Sequence, residues 1–388
     1  MTRFAHISDV HLGGWIQEPI QNINLQSFRK AMDICIKEKL DFVLIAGDLF
    51  DSAYPPIETL KETFAEFKKL KDAKIPCFII AGSHDYSVSG KTFLDVLEKS
   101  GFCKNVTSYE EREGSLILNP TLFKNIAIYG YPGKKSSLEI DDLRKVKFQE
   151  SPGFFKIFML HTTLDEAKGS IPVDAIKSTE LPKADYYAMG HLHIDFQYEN
   201  FVYPGPIFPN NFQELEDLKF GSFYIVTLNG RPMLKKVDLR IKEVEAFEIE
   251  INNTSSATEK IILEMEKRDL NDKIILLRVS GELENGKSSD INFQQIEDYA
   301  KQKNAFFMLK NTHDLKTKDV EIEIELKNSD NIEDEIINVY SEEDPSQFND
   351  LIYELMNSLD LEKQEDESNS VFEQRILDNV KKLLRLEI

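Results

Sequence analysis

The sequence predicts an α/β protein: a mixed sheet or two-sheet β-sandwich flanked by helices, then a small α+β domain and a helical tail. Three observations carry this reading. Short apolar runs alternate with helix-period stretches from Arg3 to about Gly82, later apolar runs crowd together as hairpins do, and composition shifts near residue 240.

In order along the chain, Phe4 to Ile7, Phe42 to Ala46 and Cys77 to Ala81 are apolar runs of strand length. Leu25 to Leu40 and Ile57 to Lys71 have helical periodicity. Strand, helix, strand repeated in this way implies parallel pairing. Further strands are expected at Asn125 to Tyr129, Phe154 to Leu160, Tyr186 to Met189, Phe196 to Tyr203 and Phe220 to Leu228. Beyond the shift come strand Phe247 to Ile251, helix Ala257 to Lys267, strand Lys273 to Val279, helix Phe293 to Lys301 and strand Asp319 to Leu326. In the tail, an acidic, turn-rich stretch at 343–350 and a polar spacer at 362–370 set off two amphipathic helices. The first carries Leu351, Ile352, Leu355 and Leu359, the second Phe372, Ile376, Val380 and Leu383. The expected domains are therefore 1–240, 241–330 and 331–388.

The 388 residues include 41% hydrophobic and 30% charged side chains, the balance of a globular protein. No apolar stretch approaches the roughly 20 residues of a membrane helix, so the cytoplasm is expected. Cys35, Cys77 and Cys103 lack metal-ligand spacing and are expected as reduced thiols. The net charge of −21 argues at first against a polyanionic partner. Residues 1–240, however, hold 29 Lys and Arg against 32 Asp and Glu, a balance of only −3, so the acidity lies in the C-terminal third.

Four blocks carry the chemistry, each where an expected strand ends: Asp9-Val10-His11, Gly47-Asp48-Leu49-Phe50-Asp51, Gly82-Ser83-His84-Asp85, and the pair His161 with Gly190-His191-Leu192-His193. Ligands in open α/β sheets bind outside the carboxyl ends of strands, so blocks far apart in sequence can meet. Residues two apart in extended chain point the same way, which lets both members of D-x-H or H-x-H reach one ion. Carboxylate with imidazole suits Mn, Fe or Zn better than the all-oxygen shells of Ca or Mg. Singly, each block has an ordinary reading, GD as a turn or cap and His161 as a partly buried histidine. Together they do not: five of the seven histidines fall in these blocks. The remaining two, His6 in the first strand and His313 in a polar turn, are read as structural and as unassigned.

The ordered series D-x-H, GD, G-x-H-D, H, G-H-x-H resembles the calcineurin-like metallophosphoesterase superfamily. Within it, the opening HISDVHLGG, the GDLFD followed by Pro55-Pro56, and Tyr203-Pro204-Gly205-Pro206 look like the archaeal and bacterial SbcD-type break-repair nucleases. The resemblance covers residues 1–240; for the small domain and the tail it is architectural, to a DNA-capping domain and an ATPase-binding helix-loop-helix.

That resemblance implies two divalent metals, with Mn expected. Asp9, His11 and His193 would hold one ion, His161 and His191 the other, and Asp48 would bridge them. His84 would act on the transition state or leaving group rather than ligate. The family usually has Asn at Ser83, so weaker occupancy of the second ion is expected there. Asp51 stands where many archaeal members have a histidine linked to steering DNA. The implied function is a Mn-dependent endonuclease and 3′–5′ exonuclease acting on double-stranded DNA ends. It would work as a homodimer, near the nucleoid, with an SbcC-type ABC ATPase bound through residues 345–388. The helix face Ile57, Leu60, Phe64 and Phe67 is read as core packing, although family members dimerise through helices here. Loops Trp15 to Asn24, Tyr86 to Phe93 and Asn210 to Gln213 offer amides to phosphates. The alternatives are a phosphatase or small-substrate phosphodiesterase on the same scaffold, or a catalytically weakened DNA-end-binding scaffold.

Overall fold

The computed structural model describes residues 1–87, 92–169, 172–284, 286–317, 349–359, 361 and 369–384. Two six-stranded sheets form the sandwich among the described residues. The first runs, in spatial order, β15 (Arg231–Leu239), β14 (Gly221–Asn229), β1 (Thr2–Ile7), β2 (Phe42–Ala46), β3 (Cys77–Ile80) and β4 (Lys104–Asn105). β1 to β4 are parallel, and β14 and β15 add an antiparallel edge. The second runs β12 (Asp195–Tyr198), β13 (Phe201–Pro204), β11 (Tyr186–Gly190), β10 (Phe155–His161), β8 (Ile126–Tyr131) and β7 (Thr121–Phe123). Its four central strands are parallel and both edges antiparallel.

Successive side chains leave a strand on opposite faces, and here both faces are covered, which explains the unbroken apolar runs. Phe4, Phe42, Leu44 and Ile80 face Ile128, Ile157, Met159 and Ala188 between the sheets. Their neighbours Ala5, Val43, Ile45 and Ile79 turn outward onto Phe28, Met32, Cys35, Phe67 and Leu70. Those residues come from α1 (Glu18–Lys37) and α2 (Ile57–Asp72), with α3 (Leu94–Lys99) beside them. Phe67 lies in this core with Leu60 and Phe64 against it, as expected for packing, whereas Ile57 is exposed. The outer face of the second sheet packs Tyr129, Phe158, Leu160 and Met189 on Leu143 of α4 (Glu139–Leu143) and on Leu116 and Leu118 of a small sheet. That sheet comprises β5 (Tyr109–Arg112), β6 (Ser115–Leu118) and β9 (Val146–Phe148).

The structure corrects three expectations. α1 begins at Glu18, seven residues before the expected Leu25, and absorbs seven of the ten residues of the expected Trp15 to Asn24 loop. Pro19 supplies a helical φ in the first turn, and Ile20 and Ile23 are buried. The single strand expected at Phe196 to Tyr203 is a hairpin, turning at Glu199, whose φ is 50°. β15 is an unexpected strand, its residues alternating exposed and half-buried beside the more deeply buried β14. His6, as expected, is structural: it is fully buried between Tyr186 Oη (2.9 Å) and the Met189 carbonyl (3.1 Å). All three cysteines are free thiols, and His313 is an exposed turn residue next to Asp314.

After α5 (Phe212–Leu218) and β15, a third layer follows: β16 (Val244–Glu250), β17 (Ile274–Leu283) and β18 (Phe307–Asn311) in parallel, with β19 (Leu315–Thr317) pairing β17. α6 (Ala257–Glu266) and α7 (Phe293–Gln302) cover one face. The other face, through Ile274, Leu276 and Leu309, packs on Trp15, Ile20, Ile23, Phe208 and Leu215. Met1–Thr317 form one compact unit. β18 is a strand not expected from the sequence, and the strand expected at Asp319 to Leu326 lies outside the described residues. The second unit contains the helices Ile352–Leu359 and Asn369–Leu384, which pack on each other. No described helix is long and apolar enough to cross a membrane.

Candidate metal centre

The functional blocks sit at the carboxyl ends of β1, β2, β3, β10 and β11, where the chain must turn sharply while its side chains converge. Asp9, His11, Asp48 and His191 all adopt left-handed backbone, with φ of 52°, 46°, 50° and 97°. Such conformations are costly for residues with a Cβ and persist where surrounding structure enforces them. Here the enforcing bonds are visible: Val10 N–H and His11 N–H both donate to the Asp48 carbonyl, at 2.8 and 3.0 Å. Buried Asp85 ties the second block to the third, accepting Phe50 N–H (3.0 Å) and Gly82 N–H (2.9 Å). Gly82 is needed for contact, since a Cβ there would lie 2.1 Å from Asp48 Oδ1.

The side chains meet in overlapping groups. Asp9, His11 and His193 offer ligand atoms within 4.8 Å of one another, as do Asp9, Asp48 and His161. Asp48 Oδ2 lies 3.6 Å from His11 Nε2 and 3.1 Å from His161 Nε2, so this carboxylate faces both groups. The His191 ring stands 5.1 Å from that of His161, and the His191 backbone N–H donates to Asp9 Oδ1 at 2.9 Å. The structure therefore brings together all six residues expected around two ions. His84 and His11 have ring centroids 4.9 Å apart, and His84 Nδ1 bonds the Asp51 carbonyl at 2.8 Å, leaving its other nitrogen for the cleft. Half-buried Ser83 lines the same cleft of about 610 Å³, with His84, His191, Tyr54 and Lys135.

Does this donor set fit divalent cations? His11 Nδ1 bonds Asp51 Oδ1 at 3.0 Å and His193 Nδ1 bonds Glu214 Oε1 at 2.9 Å, which assigns the protons to the Nδ1 atoms. The two Nε2 atoms then present lone pairs to each other at 3.1 Å. His161 repeats the pattern: its Nδ1 donates to the Ala46 carbonyl at 3.0 Å, while its buried Nε2 has only the Asp48 carboxylate beside it, at 3.1 Å, in a geometry that makes no good hydrogen bond. Acceptors facing acceptors in a buried site are satisfied by a shared cation or proton. The residues fit two divalent ions.

Without a cation, the buried carboxylates draw a proton onto the imidazoles instead. Burial opposes charge on Asp48, yet the imidazoles of His161, His11 and His84 hold it far below the usual carboxylate range. Burial likewise opposes charge on His161, but Asp48 and Asp9 push it up to about 10. In His191 burial wins, with the His161 charge assisting, and lowers it to about 4.

A model of the calcineurin-like phosphoesterases matches residues 2–195, half of the chain and all of the blocks described above. The chain belongs to the calcineurin-like phosphoesterase family. This phosphoesterase is 28% identical over 298 residues to the DNA double-strand break repair protein Mre11 of Archaeoglobus fulgidus, covering 68% of this chain and 65% of that protein. It is 29% identical over 281 residues to the Mre11 of Methanocaldococcus jannaschii, covering 66% and 72%. Against the uncharacterized metallophosphoesterase YhaO of Bacillus subtilis it is 27% identical over 247 residues, 58% of each chain. The match to the Mre11 of Methanosarcina mazei spans only 48% of that relative.

Two residues that position the phosphoesterase's histidines were only partly foreseen. Asp51 was read as steering substrate; in the structure its carboxylate orients His11, and that bond keeps it below its ordinary value. Glu214 was not singled out at all. Burial raises its carboxyl, but the His193 hydrogen bond outweighs this and holds it below the usual range. The signal that could have found it is the Asn211-Phe212-Gln213-Glu214 spacing, an N-cap followed three residues later by a carboxylate.

Proposed function

We propose that this chain is a metal-dependent phosphodiesterase that cuts DNA at double-strand breaks. The observation that carries the reading is the pairing of lone pairs at His11 and His193, with His161 Nε2 turned toward Asp48, around the carboxylates of Asp9 and Asp48. DNA as substrate is supported by the relatives that bear the name of a break-repair protein.

In this reading Asp9, His11 and His193 hold one ion, His161 and His191 a second, and Asp48 touches both. When bound, two divalent cations supply Lewis-acid activation of water and charge neutralisation at the phosphate. The protein supplies orientation and proton transfer. Asp51 and Glu214 keep the Nε2 lone pairs of His11 and His193 directed inward, as outer partners of ligating histidines do. His84, exposed at the mouth with Nδ1 donating to the Asp51 carbonyl, would present Nε2 to the scissile phosphate, and as the doubly protonated imidazolium it would donate the Nε2 proton to the leaving 3′ oxygen. Ser83, shorter than an asparagine, supports its ion weakly.

The remaining proposals follow the same line. Residues 241–330 cap the DNA, and the protein works as a homodimer. The helices within 345–388, amphipathic and packed on each other among the described residues, dock on the coiled coil of an SbcC-type ATPase. Removal of 345–388 should abolish that complex and leave Mn binding intact.

The deciding assay is Mn-dependent cleavage of closed circular and linear DNA, with and without the ATPase. Cleavage of both, lost in His84→Gln, supports the reading. A protein that hydrolyses only aryl phosphates is instead a phosphatase on this scaffold, and one that binds DNA ends without cutting is a weakened scaffold.

A further inference from the structure

We propose that Arg278, on the central strand of the third sheet, is a positioning residue for the Asp9–His11–His193 ion, acting through helix α5. This deepens the metal reading above and rests on it.

The bonds can be followed atom by atom. Arg278 presents its fork to α5: Nη2 donates to Glu216 Oε2 at 2.6 Å and to Gln213 Oε1 at 2.6 Å, and Nε donates to Glu216 at 3.1 Å. Its guanidinium also covers the ring of Phe212, 5.2 Å from the centroid. A planar cation held by two acceptors and a ring fixes the rotation of a helix better than a point charge does. Between these anchors sits Glu214. One of its oxygens takes His193 Nδ1 at 2.9 Å and the other takes Asn210 N–H at 2.8 Å. Asn210 in turn donates from Nδ2 to Asp51 Oδ1 at 3.0 Å, the same oxygen that orients His11.

Helix α5 has only seven residues, and isolated helices of that length do not hold their shape in water. Its orientation must come from tertiary contacts. Leu215 supplies the apolar part, packed with Ile274 and Leu276 beside Arg278 on β17. The third sheet, which contributes no ligand, thereby fixes the outer partners of both histidines of one ion. His161 Nδ1, bonded to the Ala46 carbonyl, has no part in this chain of contacts.

The test is Mn titration of the full chain by calorimetry and electron paramagnetic resonance, which resolve the two ions. Glu214→Ala is expected to weaken one ion roughly 10- to 100-fold, the usual range for an outer partner of a ligating histidine, and to leave the other unchanged. Glu214→Gln keeps an acceptor and restores most of that affinity. Arg278→Ala is expected to weaken the same ion roughly 3- to 10-fold, and Arg278→Lys by less. In a Glu214→Ala background, Arg278→Ala should have no further effect on affinity, because the path runs through Glu214. A lower melting temperature with unchanged affinity at both ions would reduce Arg278 to a structural role and overturn the proposal, as would additive losses in the double variant. A wild-type chain that binds no pair of ions would instead overturn the metal reading itself.

Discussion

Asp48 Oδ2 stands 3.1 Å from His161 Nε2, with both side chains sealed from solvent. A carboxylate in that position is held by the positive charge around it, either a protonated imidazole or a cation. Asp48→Asn removes the charge and keeps the shape. It should lower Mn affinity by more than the roughly 100-fold upper range of an outer-partner change, with calorimetry showing fewer than two ions bound. Two ions bound with wild-type affinity would mean that Asp48 does not join the groups.

Ser83 invites the opposite experiment. Asparagine carries a carbonyl oxygen farther from the backbone than a hydroxyl, so Ser83→Asn should tighten the weaker ion and leave the stronger one unchanged. Equal affinities at both sites in both proteins would remove any role for residue 83.

Gly82→Ala probes packing rather than charge. The new methyl would fall 2.1 Å from Asp48 Oδ1 and 2.4 Å from the Asp48 amide nitrogen, a collision with fixed backbone. Overpacking of this kind costs about 1–3 kcal/mol. A melting temperature lowered by a few degrees, together with loss of the second Mn, is expected.

His6 gives a pH signature of a residue outside the expected ligand set. Burial lowers its folded-state value to about 3 from an unfolded value near 6.5, although the bond to the Met189 carbonyl works the other way. Between those values the unfolded chain binds the extra proton. The contribution is therefore complete above about pH 6.5 and is lost as pH falls toward 3, at a limiting slope of roughly 1.4 kcal/mol per unit. His6→Gln, which can bond Tyr186 and Met189 without titrating, should flatten that part of a denaturant-derived stability profile. An unchanged slope would show that His6 is not the group responsible.

The strand-end blocks were legible because the physics that places them is local. A glycine or a polar residue ends each apolar run, and the topology of parallel strands then delivers the ends to one side. Phe42–Ala46 was read to the residue for that reason, its run being bounded by Asp41 and Gly47. The start of α1 was hidden because Trp15 to Asn24 is rich in amides, and only tertiary contact with Phe208 and Leu215 buries Trp15, Ile20 and Ile23. The capping spacing marks Glu214 as a helix-start residue, but its role was hidden for a similar reason: its partner lies 21 residues away, and only the fold brings Nδ1 of His193 to it.

The left-handed turns at Asp9, His11, Asp48 and His191 settle when the awkward backbone work is done. The bends at Asp9, His11 and Asp48 are locked by main-chain bonds and that at His191 by the Asp9 carboxylate, so folding itself bears their energetic burden. An incoming cation then meets a rigid cage and spends none of its binding energy on reshaping loops. Relaxing any one bend would make a sturdier protein and a poorer host for metals.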